Sequence, residues 1–198
     1  IDVNTSTEVR QLAPDDRAAY AIVEFRGTAC AFRRDLFLRL GGWRESLFHQ
    51  TEEGDYCIRM LAAGSLVRAG RGDPIHHMES PKRDLTRQIT YNARNNMLFA
   101  WHNVPLAMLV PHMAATKINL LRHGFRLGYV RATLRGLWRA KVDIWRGRAK
   151  RGPVSMPVYR VHRWLKKSGT VAMSEAVKRL DAARGQGHTH DGQGRGRG

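Results

Sequence analysis

Residues 20–25 (YAIVEF) form a nearly unbroken apolar run that predicts a buried strand, and Gly27 after it gives the backbone room to turn or approach closely. A second short strand is expected over 28–32, leading into a helix over 33–40 (RRDLFLRL). Leu36, Phe37 and Leu40 share one face of that helix, and Gly41-Gly42 ends it. The next helix carries the clearest signals. Thr51 stands at the N-cap position, and Glu52, Glu53 and Asp55 fall in the first turn, where the helix dipole favours anions. Ile58, Leu61 and Ala62 give it an apolar face, and Gly64 marks its stop. Strands over 65–69 and ending at 74–77 (PIHH) follow, then a helix over 84–101 with Ile89, Ala93, Asn96 and Met97 on one side. From 106 to 148, apolar residues including Ile118, Leu121, Phe125, Leu134, Trp138 and Trp145 recur every three or four positions among Arg and Lys, which predicts one or two amphipathic helices. The tail from 185 (GQGHTHDGQGRGRG) has no apolar period and is expected to be disordered.

Charge divides the chain in the same places. The 198 residues carry a formal +17, from 34 Lys and Arg against 17 Asp and Glu. Residues 1–106 hold 14 basic and 13 acidic residues, 107–168 hold 15 and 1, and 169–198 hold 5 and 3. Almost all the excess thus sits in the middle, and an acidic partner is expected for it: phospholipid, nucleic acid or a phosphorylated substrate. Three segments follow: a near-neutral globular piece over 1–105, a basic helical extension over 106–168, and a mostly disordered tail over 169–198. The two cysteines, Cys30 and Cys57, cannot build a disulfide framework or a four-thiolate metal site and suit a reducing compartment. The longest strongly apolar stretch, 105–111 (PLAMLVP), is far short of the roughly 20 residues that span a bilayer. With Ile1 first and no basic-then-apolar leader, the sequence is expected to start within a longer protein.

Glu52, Glu53 and Asp55, at one helix mouth, can either cap the helix or present a general base to a cleft. Crowding of like charges raises a carboxylate pKa toward a useful range, and adjacent Glu52 and Glu53 meet that condition. His76 and His77, about twenty residues on, are either surface residues or, with carboxylates, part of a divalent-metal set. Zinc is disfavoured because neither cysteine has a CxxC partner. His188 and His190, in the tail, offer a metal no fixed geometry.

Taken together, the motifs FRGTA (25–29), FRRDLF (32–37), GGWRESLF (41–48), EEGDYCIR (52–59), Ala63-Gly64, IHHMESPKRD (75–84) and Arg94-Asn95 resemble, in order and spacing, the second half of a family 2 glycosyltransferase. The resemblance covers about residues 20–105. It implies an α/β fold: part of a GT-A, Rossmann-like catalytic domain, followed here by amphipathic helices. It implies inverting transfer from a nucleotide-diphosphate sugar to a saccharide or lipid-linked acceptor, in cell-wall or surface polysaccharide synthesis. In that family the second position of Glu-Asp-x-Asp-Leu is the catalytic base, which here is Glu53, with Glu in place of the commoner Asp. Glu52 becomes its supporting partner, and Asp55 steadies the loop or acceptor site. The resemblance also implies a divalent metal, Mg or Mn, on the sugar diphosphate, with His77 as first-choice ligand and His76 as second. The Gly42-Trp43 loop would border the acceptor pocket. Trp43 can stack on a sugar ring or simply pack under the helix, and Arg33 and Arg34 can meet phosphate or solvate a helix face. The family's nucleotide-binding half, with its Asp-x-Asp motif, is expected upstream of Ile1, so this chain alone is expected to be inactive.

The basic extension, with Trp and Phe among its cations, suits the anionic inner face of a cell membrane, which implies a cytoplasmic, peripheral protein. Nucleic acid is the rival partner, but no zinc finger or RNA-recognition signature is present, so no specific nucleic acid is expected. The alternative to an enzyme is a non-catalytic basic module that binds anionic membrane or nucleic acid.

Overall fold

The computed structural model describes residues 19–27, 30–70 and 84–188. By packing, the chain groups into two compact units: Ile1–Leu40 with Cys57–His77 and Val154–Gly198, and Gly41–Tyr56 with Met78–Pro153.

The first unit holds a small sheet. Strand β1 (Tyr20–Ile22) lies between β2 (Val67–Arg68) and β3 (Val171–Ala172), and both pairings are antiparallel. Ala21, opposite both Arg68 and Val171, is fully buried. Beyond the strands, Ala69 N–H donates to the Tyr20 carbonyl at 2.9 Å and Met173 N–H to the Ala19 carbonyl at 2.8 Å. Helix α1 (Arg34–Arg39) buries Leu36, and Arg59 from helix α2 (Glu52–Ala62) donates to the Leu40 carbonyl at 2.7 Å, satisfying one of the acceptors a helix end leaves open. Helices α6 (Met156–Ser168) and α7 (Met173–His188) pack on each other. Their buried positions, Val158, Val161 and Leu165 on one and Ala176, Leu180 and Ala183 on the other, recur every three or four residues as an amphipathic pair requires. A helix over Met173–His188 stands where the charge-based segmentation placed a mostly disordered tail.

The second unit is built around α3 (Leu85–Asn103), which Asp84 caps by accepting from Arg87 N–H at 2.9 Å. Helices α4 (Leu106–Arg126) and α5 (Val130–Trp145) pack on α3 and on each other. They fill the stretch 106–148, where one or two helices were expected, and are parted at Gly128, whose φ of 76° breaks the helical path. Gly136 lets α5 approach α3: a Cβ there would run into the Thr90 carbonyl oxygen, and Ala93 Cβ would lie 2.8 Å away. Leu47, from a 3₁₀ turn at Glu45–Leu47, joins Leu98, Ala140 and Ala149 in a core against which Met97, Trp101 and Ile144 pack.

The expected α/β architecture does not form. Among the described residues the chain is mostly helical, with one small three-stranded antiparallel sheet, and is not a Rossmann-like fold. A Rossmann-like sheet needs parallel strands joined by crossover helices, each strand long enough to be covered on both faces. Here the run 20–25 yields three strand residues and 65–69 yields two. Phe25 leaves the ladder to meet Phe32 edge-on, with ring centroids 4.8 Å apart, and Phe32 in turn lies 5.8 Å from Phe37. Residues 30–32 are therefore irregular rather than a strand, held by aromatic contacts the alternation pattern does not encode. The strand expected to end at 74–77 lies outside the described residues. Among the described residues no helix is long and apolar enough to cross a membrane.

Candidate active site

The acids singled out in the sequence open α2, and the loop before them is strained. Gln50 and Thr51 adopt φ of 73° and 75°, the left-handed region that side chains, and β-branched ones above all, avoid. Each such residue costs about 1–3 kcal/mol and persists only where its surroundings hold it. Thr51 therefore lacks the extended backbone of an ordinary N-cap, although its carbonyl accepts from Asp55 N–H at 3.0 Å.

Asn95 supplies the hold. Fully buried on α3, it donates through Nδ2 to the His49 carbonyl at 2.6 Å and the Gln50 carbonyl at 2.8 Å. Arg94 sets Asn95 in turn, donating to Asn95 Oδ1 at 2.7 Å and to the Ser46 carbonyl at 2.8 Å, while its Nε pairs with Asp143 of α5 at 2.8 Å. Asn96 adds a longer contact to Thr51 Oγ1, at 3.3 Å. A chain of hydrogen bonds, charge-assisted where Arg94 donates, thus runs from α5 through α3 to the loop, strengthened by its partial burial.

The three acids have different surroundings. Asp55 is fully buried: Arg44 Nε lies 3.0 Å from Oδ1 and 3.1 Å from Oδ2, and Asn103 Nδ2 donates to Oδ1 at 2.7 Å. Glu52 is partly buried, and its Oε2 is shut off from solvent with no hydrogen-bond partner among the described residues. Burial pushes the Glu52 carboxyl above its ordinary range and the Glu53 charge adds to the rise, against the pull of its own backbone N–H and of His49. Glu53 is half-buried beside it. Gly42 sits at φ 62°, a turn that suits glycine, and the following Trp43 leans on Tyr56 with ring centroids 5.1 Å apart while staying 38% exposed. Arg33, in the other unit, is exposed and pairs with Asp35 at 2.9 Å. His76 and His77 lie outside the described residues, and among those described no three His, Cys, Asp or Glu converge to hold a metal ion. Cys30 is exposed and Cys57 is buried.

Phe48, His49 and Gln50 of the strained loop, with Asp84, Arg87 and Gln88, line an open depression of about 530 Å³. None of the predicted site residues that are described lines it. The structure thus brings Glu52, Glu53, Asp55 and Trp43 into one unit and adds Arg44, Asn95 and Asn103 as their supports. Arg44 and Asn95 stand within the quoted motifs, but Arg44 pairs with Asp55 across 11 residues of chain and Asn95 with the loop across about 45, and no local period signals either. Asn103 has no sequence signal at all. Comparison with protein-family models, with curated proteins and with solved structures finds no match for this chain.

Proposed function

We propose that this chain carries the acceptor-activating part of an inverting transferase that uses nucleotide-diphosphate sugars, with Glu53 taking the proton from the acceptor hydroxyl. The observation behind this reading is the strained loop that opens the helix of the three acids: Gln50 and Thr51 hold left-handed backbone immediately before Glu52 and Glu53. Strain kept at a loop is a recurrent mark of functional positions, and a base must be held within hydrogen-bond reach of the proton it removes.

In the step itself the hydroxyl proton passes to the Glu53 carboxylate and the freed oxygen bonds to the anomeric carbon from the side opposite the leaving group. The bond from that carbon to the diphosphate oxygen breaks, and the nucleotide diphosphate departs with the electron pair. The acceptor is a saccharide or lipid-linked saccharide, in cell-wall or surface polysaccharide synthesis. The exposed part of Trp43, presented by the Gly42 turn, offers the sugar a stacking face. His77, with His76 as second choice, would hold a divalent Mg or Mn ion, whose chemistry is to offset charge on the leaving diphosphate. The protein would work in the cytoplasm, peripheral to the inner face of the membrane, a location supported by the cationic helices of its second unit.

The test is turnover by the full-length gene product on a panel of nucleotide sugars with membrane-extracted acceptors, read as nucleotide diphosphate release. Glu53→Gln is expected to lower the rate by about a thousandfold, within the range a general base contributes, while leaving nucleotide-sugar binding unchanged. Undiminished turnover in that variant would sink the assignment of Glu53.

A further inference from the structure

We propose that the outward faces of α4 and α5 form a docking surface for an anionic lipid bilayer. This deepens the location given above, and its test reads lipid binding rather than turnover, so either proposal can fail without the other.

Helix α5 is built the wrong way round for a helix that only covers a core. Its buried positions are small or polar: Ala132, Thr133, Gly136, Ala140 and Asp143. Its large apolar residues point outward, Leu134 at 51% exposure, Trp138 at 62% and Trp145 at 83%. With Lys141 these fall at i, i+4, i+7 and i+11, a single helical row. A second row, Arg131, Arg135, Arg139 and Arg146, runs alongside at i, i+4, i+8 and i+15 and is likewise exposed. On α4 the exposed Leu106, Val110, Ala114, Ile118 and Phe125 repeat at i, i+4, i+8, i+12 and i+19, with Lys117, Arg122 and Arg126 beside them. Contiguous exposed apolar residues of this kind mark interaction surfaces.

Charge selects the partner. Residues 106–148 carry nine Lys and Arg and a single acid, Asp143, which Arg94 engages at 2.8 Å. A phosphodiester chain would satisfy these cations but would leave the exposed aliphatic side chains of Leu106, Val110 and Ile118 on α4 and of Leu134 on α5 in water, since they offer no ring for a base to stack on. A bilayer with anionic headgroups takes both. Arg and Lys reach headgroup phosphates from their apolar stems, tryptophans settle at the interface, and the aliphatic side chains enter the acyl boundary by about 5–10 Å.

The experiment is sedimentation of the full chain with vesicles of phosphatidylcholine alone or with about 30% phosphatidylglycerol, and with acyl chains brominated at shallow positions to quench inserted tryptophan. Partition is expected to be at least about tenfold stronger on the anionic vesicles, with tryptophan quenching there. Replacing Arg131, Arg135 and Arg139 together by Gln is expected to weaken it about a hundredfold. Trp138→Ser with Trp145→Ser is expected to weaken it about tenfold or more and to abolish most quenching. All five positions are exposed, and unchanged circular dichroism checks that both variants fold. Equal binding to neutral and anionic vesicles would overturn the proposal. So would full binding by the tryptophan variant, or tighter binding of single-stranded RNA through the same tryptophans.

Discussion

Asp55 shows how differently neighbouring side chains of one type can be used. All three acids at the start of α2 read alike in the sequence, as dipole-favoured first-turn residues, and only their partners separate them. Asp55 is enclosed by Arg44 and Asn103, whereas the buried oxygen of Glu52 has no donor among the described residues, a costly arrangement for a charged carboxylate. Its folded-state pKa stands above the ordinary 4.5, so the folded chain binds the proton more tightly than the unfolded chain does. The contribution of Glu52 to stability is therefore fully present below the unfolded value and is lost as pH rises through the folded one. Glu52→Gln removes that loss: its thermal midpoint is expected to lie above that of the parent at pH 7, with the gap closing below the ordinary glutamate range. Circular dichroism melts at the two pH values check this. Asn95 makes the opposite point. Its two bonds to the His49 and Gln50 carbonyls contribute about 1 kcal/mol each, comparable with the strain they hold in place.

At the scale of elements, periodicity located most helices and misjudged the strands. Helices over 33–40, from 52 and over 84–101 match α1, α2 and α3 within one or two residues, because caps, dipole-favoured acids and glycine stops act within a turn of the chain. Strands have no such local warrant, and 20–25 and 65–69 keep only the residues that find a partner across the sheet. The sequence also places apolar residues on α4 and α5 without telling which face meets α3. On α5 the small residues do, because Gly136 and Ala140 allow the backbones to approach and Arg94 can then reach Asp143. Gly136→Ala is accordingly expected to cost about 2 kcal/mol, since its new methyl meets the Thr90 carbonyl and adjacent α3 backbone rather than a movable side chain. In thermal unfolding that corresponds to a midpoint lowered by about 4–8 °C.

Across the whole molecule the +17 charge is the dominant field. The nine cations of 106–148 face almost no acid, and their mutual repulsion opposes compaction where salt is low. The thermal midpoint is expected to rise by about 2–5 °C between about 20 mM and about 200 mM sodium chloride as the Debye length shrinks, read by differential scanning calorimetry. A fall over that range would mean that attractive surface pairs outweigh this repulsion. The chain's division into two units was also hidden from composition. Charge suggested breaks at 105 and 168, whereas packing joins 41–56 to 78–153 and groups 154–198 with the N-terminal segments, through contacts between residues far apart in sequence.

Local chain chemistry was enough to specify the helices with strong termini, the amphipathic character of 106–148 and the position of three acids at one helix mouth. Those features depend on bonds and side-chain spacings within a few residues. Tertiary structure decided that the chain is mostly helical rather than α/β, that Asp55 is held by Arg44 and Asn103, that Asn95 holds a left-handed loop in place, and that the tryptophans of α5 face outward. Each of these rests on contacts between residues distant along the chain, where burial and close packing outweigh local preference.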